Sequence, residues 1–329
     1  MKKCSRTTVD LQPRLACKSV EFLDVFTEND VGTVLRSFQA FSAETLRKAV
    51  VVFLEQGERE DLEFVLLVGA DWDGVAGKEK ETALYRAVKA GNFEVVKLLV
   101  DAGSNVGVKC GVFDRTAFHL ACNKRPESLS MEIVKLLVSS GADVNLADSF
   151  AHTPLMLSAT HNTVDLAKLL LSRVAVLLLE RGARIDAQNH FGKSPLFCTC
   201  MGDGNPEMTE LLLSRGGNIN VRDAEGKTAL MEAAYFGAEK TAAVLVRHAT
   251  ASDLNVTDKR GYTALHYTIW EPGPGPLDDF RVAKVLVDGG INVHARGRDG
   301  RTAAQLAKKQ LPHYAERRMY LERVTPGLR

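Results

Sequence analysis

Apolar residues along this chain fall in short runs with helical spacing, separated by polar breaks at a nearly regular interval. The clearest runs are Val95-Val96-Lys97-Leu98-Leu99-Val100, Ile133-Val134-Lys135-Leu136-Leu137-Val138 and Leu211-Leu212-Leu213. Each offers the apolar stripe that one face of an α-helix buries. The runs stop at Gly103, Gly141 or Gly216, and a related run stops at Gly182. A left-handed helix cap costs least at glycine. A polar connector follows, as in Gly141-Ala142-Asp143-Val144-Asn145 and Gly216-Gly217-Asn218-Ile219-Asn220.

A second, shorter helix precedes each run. Its start repeats one phrase: Glu81-Thr82-Ala83-Leu84, Arg115-Thr116-Ala117-Phe118, His152-Thr153-Pro154-Leu155 and Lys193-Ser194-Pro195-Leu196. The phrase continues as Lys227-Thr228-Ala229-Leu230, Tyr262-Thr263-Ala264-Leu265 and Arg301-Thr302-Ala303-Ala304. The hydroxyl residues are spaced by 34, 37, 41, 34, 35 and 39 positions, a constant module with insertions on top. The hydroxyl can accept from the free amides of a helix start. Pro154 and Pro195 stand at the first helical position, where a missing N–H costs nothing.

These residues resemble the ankyrin repeat, with its Thr-Pro-Leu-His-x-Ala helix start and Gly-Ala-Asp-Val-Asn ending. His119 and His266 match the family's histidine, while Tyr85, Met156, Phe197, Met231 and Gln305 replace it elsewhere. The resemblance covers roughly residues 74–309 and implies an all-α ankyrin-repeat solenoid of stacked helix-turn-helix modules with short hairpin loops. Residues 1–18 read as a loose tail, 19–74 as degenerate capping repeats, 75–310 as ankyrin repeats and 311–329 as a basic C-terminal cap. Terminal modules need a polar outer face, which accounts for their atypical sequence.

One module is irregular. Leu169-Leu170-Leu171-Ser172-Arg173 is nearly repeated as Leu177-Leu178-Leu179-Glu180-Arg181. Either that helix is about two turns longer than its neighbours or a short duplication has been spliced in. Eight residues at 100° each overshoot two turns by about 80°, so one apolar copy would protrude.

Composition narrows the chemistry. The 329 residues carry 42 Lys and Arg against 41 Asp and Glu, and this balance argues against a general nucleic-acid binder. The charge is polarised: residues 20–80 hold 13 acidic and 6 basic side chains, residues 281–329 hold 4 and 11. The six cysteines form no Cys-x-x-Cys pair, so neither a metal nor a cofactor is expected. Cys122 and Cys200 share the slot of Ala159 and Ala234 and read as small buried residues. Gly192-Lys193-Ser194 and Gly226-Lys227-Thr228 echo a phosphate-binding loop, but Ala187 and Val221 stand where its first glycine belongs. No catalytic signature survives, and the chain is expected not to be an enzyme. The basic start lacks the apolar stretch of a signal peptide, and the run from Leu166 to Leu179 is too short and charged to span a bilayer. A cytoplasmic or nuclear, monomeric protein without a small-molecule substrate is the expectation.

The resemblance implies partner contacts at hairpin tips and along the solvent end of the first helices. On this chain those positions include Phe113, Phe150, His152, Phe191, Tyr235, Phe236, Tyr262 and Trp270. Aromatic rings bury much area with few rotatable bonds and suit partner anchoring. The competing reading packs some of these rings on adjacent repeats. The expected function is a scaffold that binds a protein partner through its concave groove and hairpin tips. The alternative is a substrate-recruiting adaptor for a ubiquitin ligase or other effector. The family likeness also implies Asn145, Asn220 and Asn255 as possible hydroxylation sites.

Overall fold

The computed structural model describes residues 81–123, 131–160, 165–269, 280–310 and 315–325. The expected tail over 1–18, the capping repeats over 19–74 and Trp270 lie outside them. Among the described residues every regular element is an α-helix, and one isolated β-bridge joins Cys110 to Arg115 across a hairpin. The first helices are α1 (Ala83–Ala90), α2 (Phe93–Asp101), α3 (Ala117–Asn123) and α4 (Met131–Ser139). The next are α5 (Pro154–Ala159), α6 (Asp165–Glu180), α7 (Pro195–Cys198), α8 (Pro206–Ser214), α9 (Ala229–Phe236) and α10 (Glu239–His248). The last are α11 (Ala251–Leu254), α12 (Ala264–Tyr267), α13 (Arg281–Asp288), α14 (Ala303–Gln310) and α15 (Ala315–Val324).

The chain divides into two compact units, one ending near Ala142 and the other holding most of residues 143–325; α3 and α4 contribute segments to both. In the first unit α1 packs on α2 through Leu84, Ala87, Val88, Val96 and Leu99, all buried. In the second, α9 packs on α12 of the next repeat, α10 on α13 and α8 on α10. Leu212, Leu245 and Leu286 are buried on α8, α10 and α13, and Leu155, Leu178 and Phe197 are buried on α5, α6 and α7. Each such side chain is worth roughly 1.5–3 kcal/mol, gained only when a neighbouring repeat covers it.

The helix starts behave as their sequence requires. The Thr82 hydroxyl accepts from the Tyr85 amide at 3.1 Å. Where histidine follows, the amide and the hydroxyl of Thr116 both meet His119 Nδ1, at 3.3 and 2.8 Å. Thr263 and His266 repeat this at 3.1 and 2.9 Å. A ring nitrogen that accepts in this way leaves the proton on Nε2, and His266 Nε2 lies 3.3 Å from the Arg301 carbonyl of the next repeat. Gln305 substitutes its amide oxygen for the imidazole, accepting from the Thr302 amide at 3.1 Å. Ser194 and Thr228 make no side-chain cap bond.

The near-duplication resolves into one continuous helix. α6 has 16 residues, where α2, α4 and α8 have 9 each. Val174, Ala175 and Leu178 are buried in the register of Val95, Val96 and Leu99. The Ala183 amide donates to the Leu178 carbonyl at 2.9 Å, as the Ser104 amide does to Leu99 at 3.0 Å. The second copy therefore occupies the ordinary place, and the extra turns, about 10 Å of helix, lie N-terminal to it.

A candidate protein-docking surface on the hairpin tips

In the second unit four hairpins turn about an Asp or Asn five residues before the N-cap residue of the following helix. A side-chain oxygen of Asp148 accepts from the amides of Phe150 and His152, both at 2.9 Å. Asn189, Asp223 and Asp258 do the same for the residues two and four places on, at 2.7–3.0 Å. Gly192, Gly226 and Gly261 then carry the chain through positive φ. Ala151 adopts φ 60° at the corresponding position, where a Cβ is strained.

Consecutive tips are tied by backbone. The His190 amide donates to the Phe150 carbonyl at 3.1 Å, and Ala224 to Phe191 at 3.0 Å. Lys259 donates to Glu225 at 3.1 Å, and Arg298 to Arg260 at 2.8 Å. The apex residues of these hairpins therefore form one continuous row.

The expected partner-facing aromatics separate into groups. Phe150 and Phe191 stand at adjacent apices with 39% and 55% of their surface exposed. His152 is half-buried, with Nδ1 3.4 Å from the Asp148 carboxylate and its ring 5.9 Å from that of Phe150. Tyr235 and Phe236 are half-buried at the end of α9, in edge-to-face contact at 5.2 Å. Phe113, in the first unit, is 46% exposed beneath the Arg115 guanidinium, 5.1 Å from its ring centre.

Tyr262 departs from expectation. It is 8% exposed, stacked on His266 at 5.0 Å, with its hydroxyl donating to Asp299 at 3.1 Å. In this hairpin the position just before Thr263 points onto the next repeat, not outward. Lys193 at the corresponding position meets the buried Glu232 carboxylate at 2.5 Å, and the Lys227 ammonium lies 5.5 Å from the Tyr267 ring centre. The Tyr267 hydroxyl donates to Asp258 at 2.7 Å, and burial together with that bond holds its phenol well above the usual range. Sequence reasoning missed the Lys193–Glu232 pair, whose signal is an acid in the helix following a basic residue of the preceding tip. It also missed Val112, 90% exposed beside Phe113.

The three asparagines lie in the connectors. Asn145 donates to the Gly182 carbonyl at 3.0 Å and accepts from the Arg184 amide at 2.8 Å. Asn255 donates to Ala251 and accepts from the Asn292 amide, both at 2.7 Å. Asn220 donates to Asp253 at 2.6 Å. These amides join successive repeats.

Burial raises the Cys198 thiol to about 12, and Cys122 and Cys200 are raised further by the same cause. Such thiols are packing groups, not nucleophiles. Among the described residues no three His, Cys, Asp or Glu side chains gather as a metal site, and no helix is long and apolar enough to cross a membrane.

A family model described as ankyrin repeats in three copies matches residues 50–148, 172–258 and 204–297. The second match begins at Ser172, five residues before the in-register copy at Leu177. Protein glp-1 of Caenorhabditis elegans is 30% identical over 189 residues, 56% of this chain and 14% of that protein. Ankyrin repeat and SOCS box protein 6 of Homo sapiens is 26% identical over 48% of this chain and 38% of its own length. The B-cell lymphoma 3 protein homolog of Mus musculus is 31% identical over 53% and 37%, respectively. The aligned segment thus spans well under half of each of these relatives.

Proposed function

Because the chain belongs to the ankyrin-repeat family, we propose that it is a non-catalytic scaffold that binds a protein partner through its hairpin tips and the concave groove beside them. The observation that carries this reading is the pair Phe150 and Phe191, exposed on adjacent tips that backbone bonds hold in place. Rigid aromatic surface binds with little ordering cost. Tyr235 and Phe236 extend the surface along α9, and Phe113 offers a separate contact in the first unit. The buried reduced cysteines suit a cytoplasmic or nuclear protein.

Affinity purification with the full chain tests the reading against two variants, Phe150→Ala/Phe191→Ala and Tyr235→Ala/Phe236→Ala. A partner held by the wild type should be lost from the first, with binding weakened by more than about 1 kcal/mol and melting nearly unchanged. Retention of every partner by both variants would refute it.

An adaptor role, recruiting a substrate to a ubiquitin ligase or other effector, is the second reading. One relative's name pairs ankyrin repeats with a SOCS box, a second module beside the first. It requires a ternary complex in which the captured partner and an effector are held at once. Hydroxylation of Asn145, Asn220 or Asn255 is a further proposal, read by mass spectrometry of the corresponding peptides.

A further inference from the structure

The row of tips in the second unit changes character along its length. Its apices are Phe150, Phe191, Glu225, Arg260 and Asp299 in successive hairpins. At the far end Lys259, Arg260, Arg296 and Arg298 are exposed and Arg301 is half-buried. The acids nearby are largely engaged. Asp258 is buried within its own turn, and Asp299 accepts from the Tyr262 hydroxyl and, at 3.1 Å, from the Arg301 amide. Glu225 pairs with Lys227 at 2.8 Å. The backbone bonds between tips fix the distance from the aromatic end to the basic end before any ligand arrives.

We infer that this row docks an extended acidic segment of a protein partner, with an apolar side chain on Phe150 and Phe191 and carboxylates over Lys259, Arg260 and Arg298. The inference rests on the protein-recognition reading and specifies its ligand. Complementary charge favours such a segment over a neutral one and speeds its encounter. A nucleic-acid strand fits less well. Its uniform phosphates would cross the Glu225 carboxylate and, at the Phe150 and Phe191 apices, meet rings in place of cations. A peptide varies its charge residue by residue and can match both ends.

Panning a random displayed peptide library on the full chain tests the inference. Selected peptides should be rich in Asp and Glu, with an apolar residue set apart from the acidic run. Their synthetic versions, measured by fluorescence anisotropy, should lose about tenfold in affinity with Lys259→Glu/Arg298→Glu and weaken with added salt. The milder Arg298→Gln should show a smaller loss, and it serves as the decisive variant if the double reversal lowers the melting temperature. Neutral or basic winners, no winners, or acidic winners indifferent to these changes would overturn the inference. So would tighter binding of oligothymidylate than of any peptide. Winners lost with Phe191→Ala but unaffected by charge reversal would sink the acidic ligand and leave protein recognition at the tips standing.

Discussion

Phe191 and Tyr262 are aromatic residues of closely similar hairpins, yet one faces solvent and the other is sealed between repeats. The difference is two positions of register. Phe191 stands three residues before the N-cap residue Ser194, at the apex, where the turn projects the side chain away from the stack. Tyr262 stands one residue before Thr263, where the end of the hairpin aims it at the following repeat. There the neighbour has made room: a Cβ on Gly297 would come within 2.3 Å of the Tyr262 ring. Gly297 occupies the slot that holds Asp148, Asn189, Asp223 and Asp258 in other hairpins, so the last turn gives up its side-chain acceptor to receive the ring.

The sharpest way to break this contrast is Gly297→Ala. The added methyl collides with a buried ring and should cost about 1–3 kcal/mol, whereas Phe191→Ala should change stability by less than about 0.5 kcal/mol. Chemical denaturation of both variants, and of Gly297→Ala with Tyr262→Ala, checks it; the double variant should recover part of the loss through coupling. Next in size is the inward-pointing Lys193. Lys193→Met strands the Glu232 carboxylate among buried groups and should cost about 1–3 kcal/mol, while Lys193→Met/Glu232→Met should cost less than that single change. A double-variant cycle followed by thermal melting measures the difference.

The pH dependence sharpens the same seam. Burial holds His266 below the ordinary histidine value of 6.5, against the opposing pull of the Arg301 carbonyl and nearby carboxylates. The unfolded chain therefore takes up a proton that the folded one resists. Stability should be intact above pH 6.5 and decline as pH falls from there through the folded value. His266→Gln should flatten that slope in melting curves recorded across the range. The smallest effect is expected at Ala151. Glycine at its φ of 60° removes strain but adds freedom to the unfolded chain, so Ala151→Gly should stabilise by up to about 1 kcal/mol, read as a shift in denaturation midpoint.

Much of the architecture was legible because each helix pair restates it. The capping hydroxyl, the buried positions of the second helix and its glycine stop are local signals, and local signals survive repetition. The histidine at the helix start was legible for the same reason, since its partner is three residues away in Thr116 and Thr263. Tyr262 was not legible, because its burial depends on an absent side chain at Gly297 in another hairpin. The register of α6 was ambiguous for a different reason. Its two leucine runs satisfy the same pattern, and only the hydrogen bonds closing onto Gly182 and Ala183 choose between them. Of the proposed anchors, Phe113, Phe150 and Phe191 are exposed, and the row that Phe150 and Phe191 enter follows from backbone bonds that composition does not encode.

The lengthening of α6 has a consequence for how such a chain can vary. Because the added turns enter at the end opposite the glycine stop, every hairpin downstream keeps its phase with the one before. A modular array can in this way absorb new sequence at a single joint and acquire a private feature there, without renegotiating the fit of any other module.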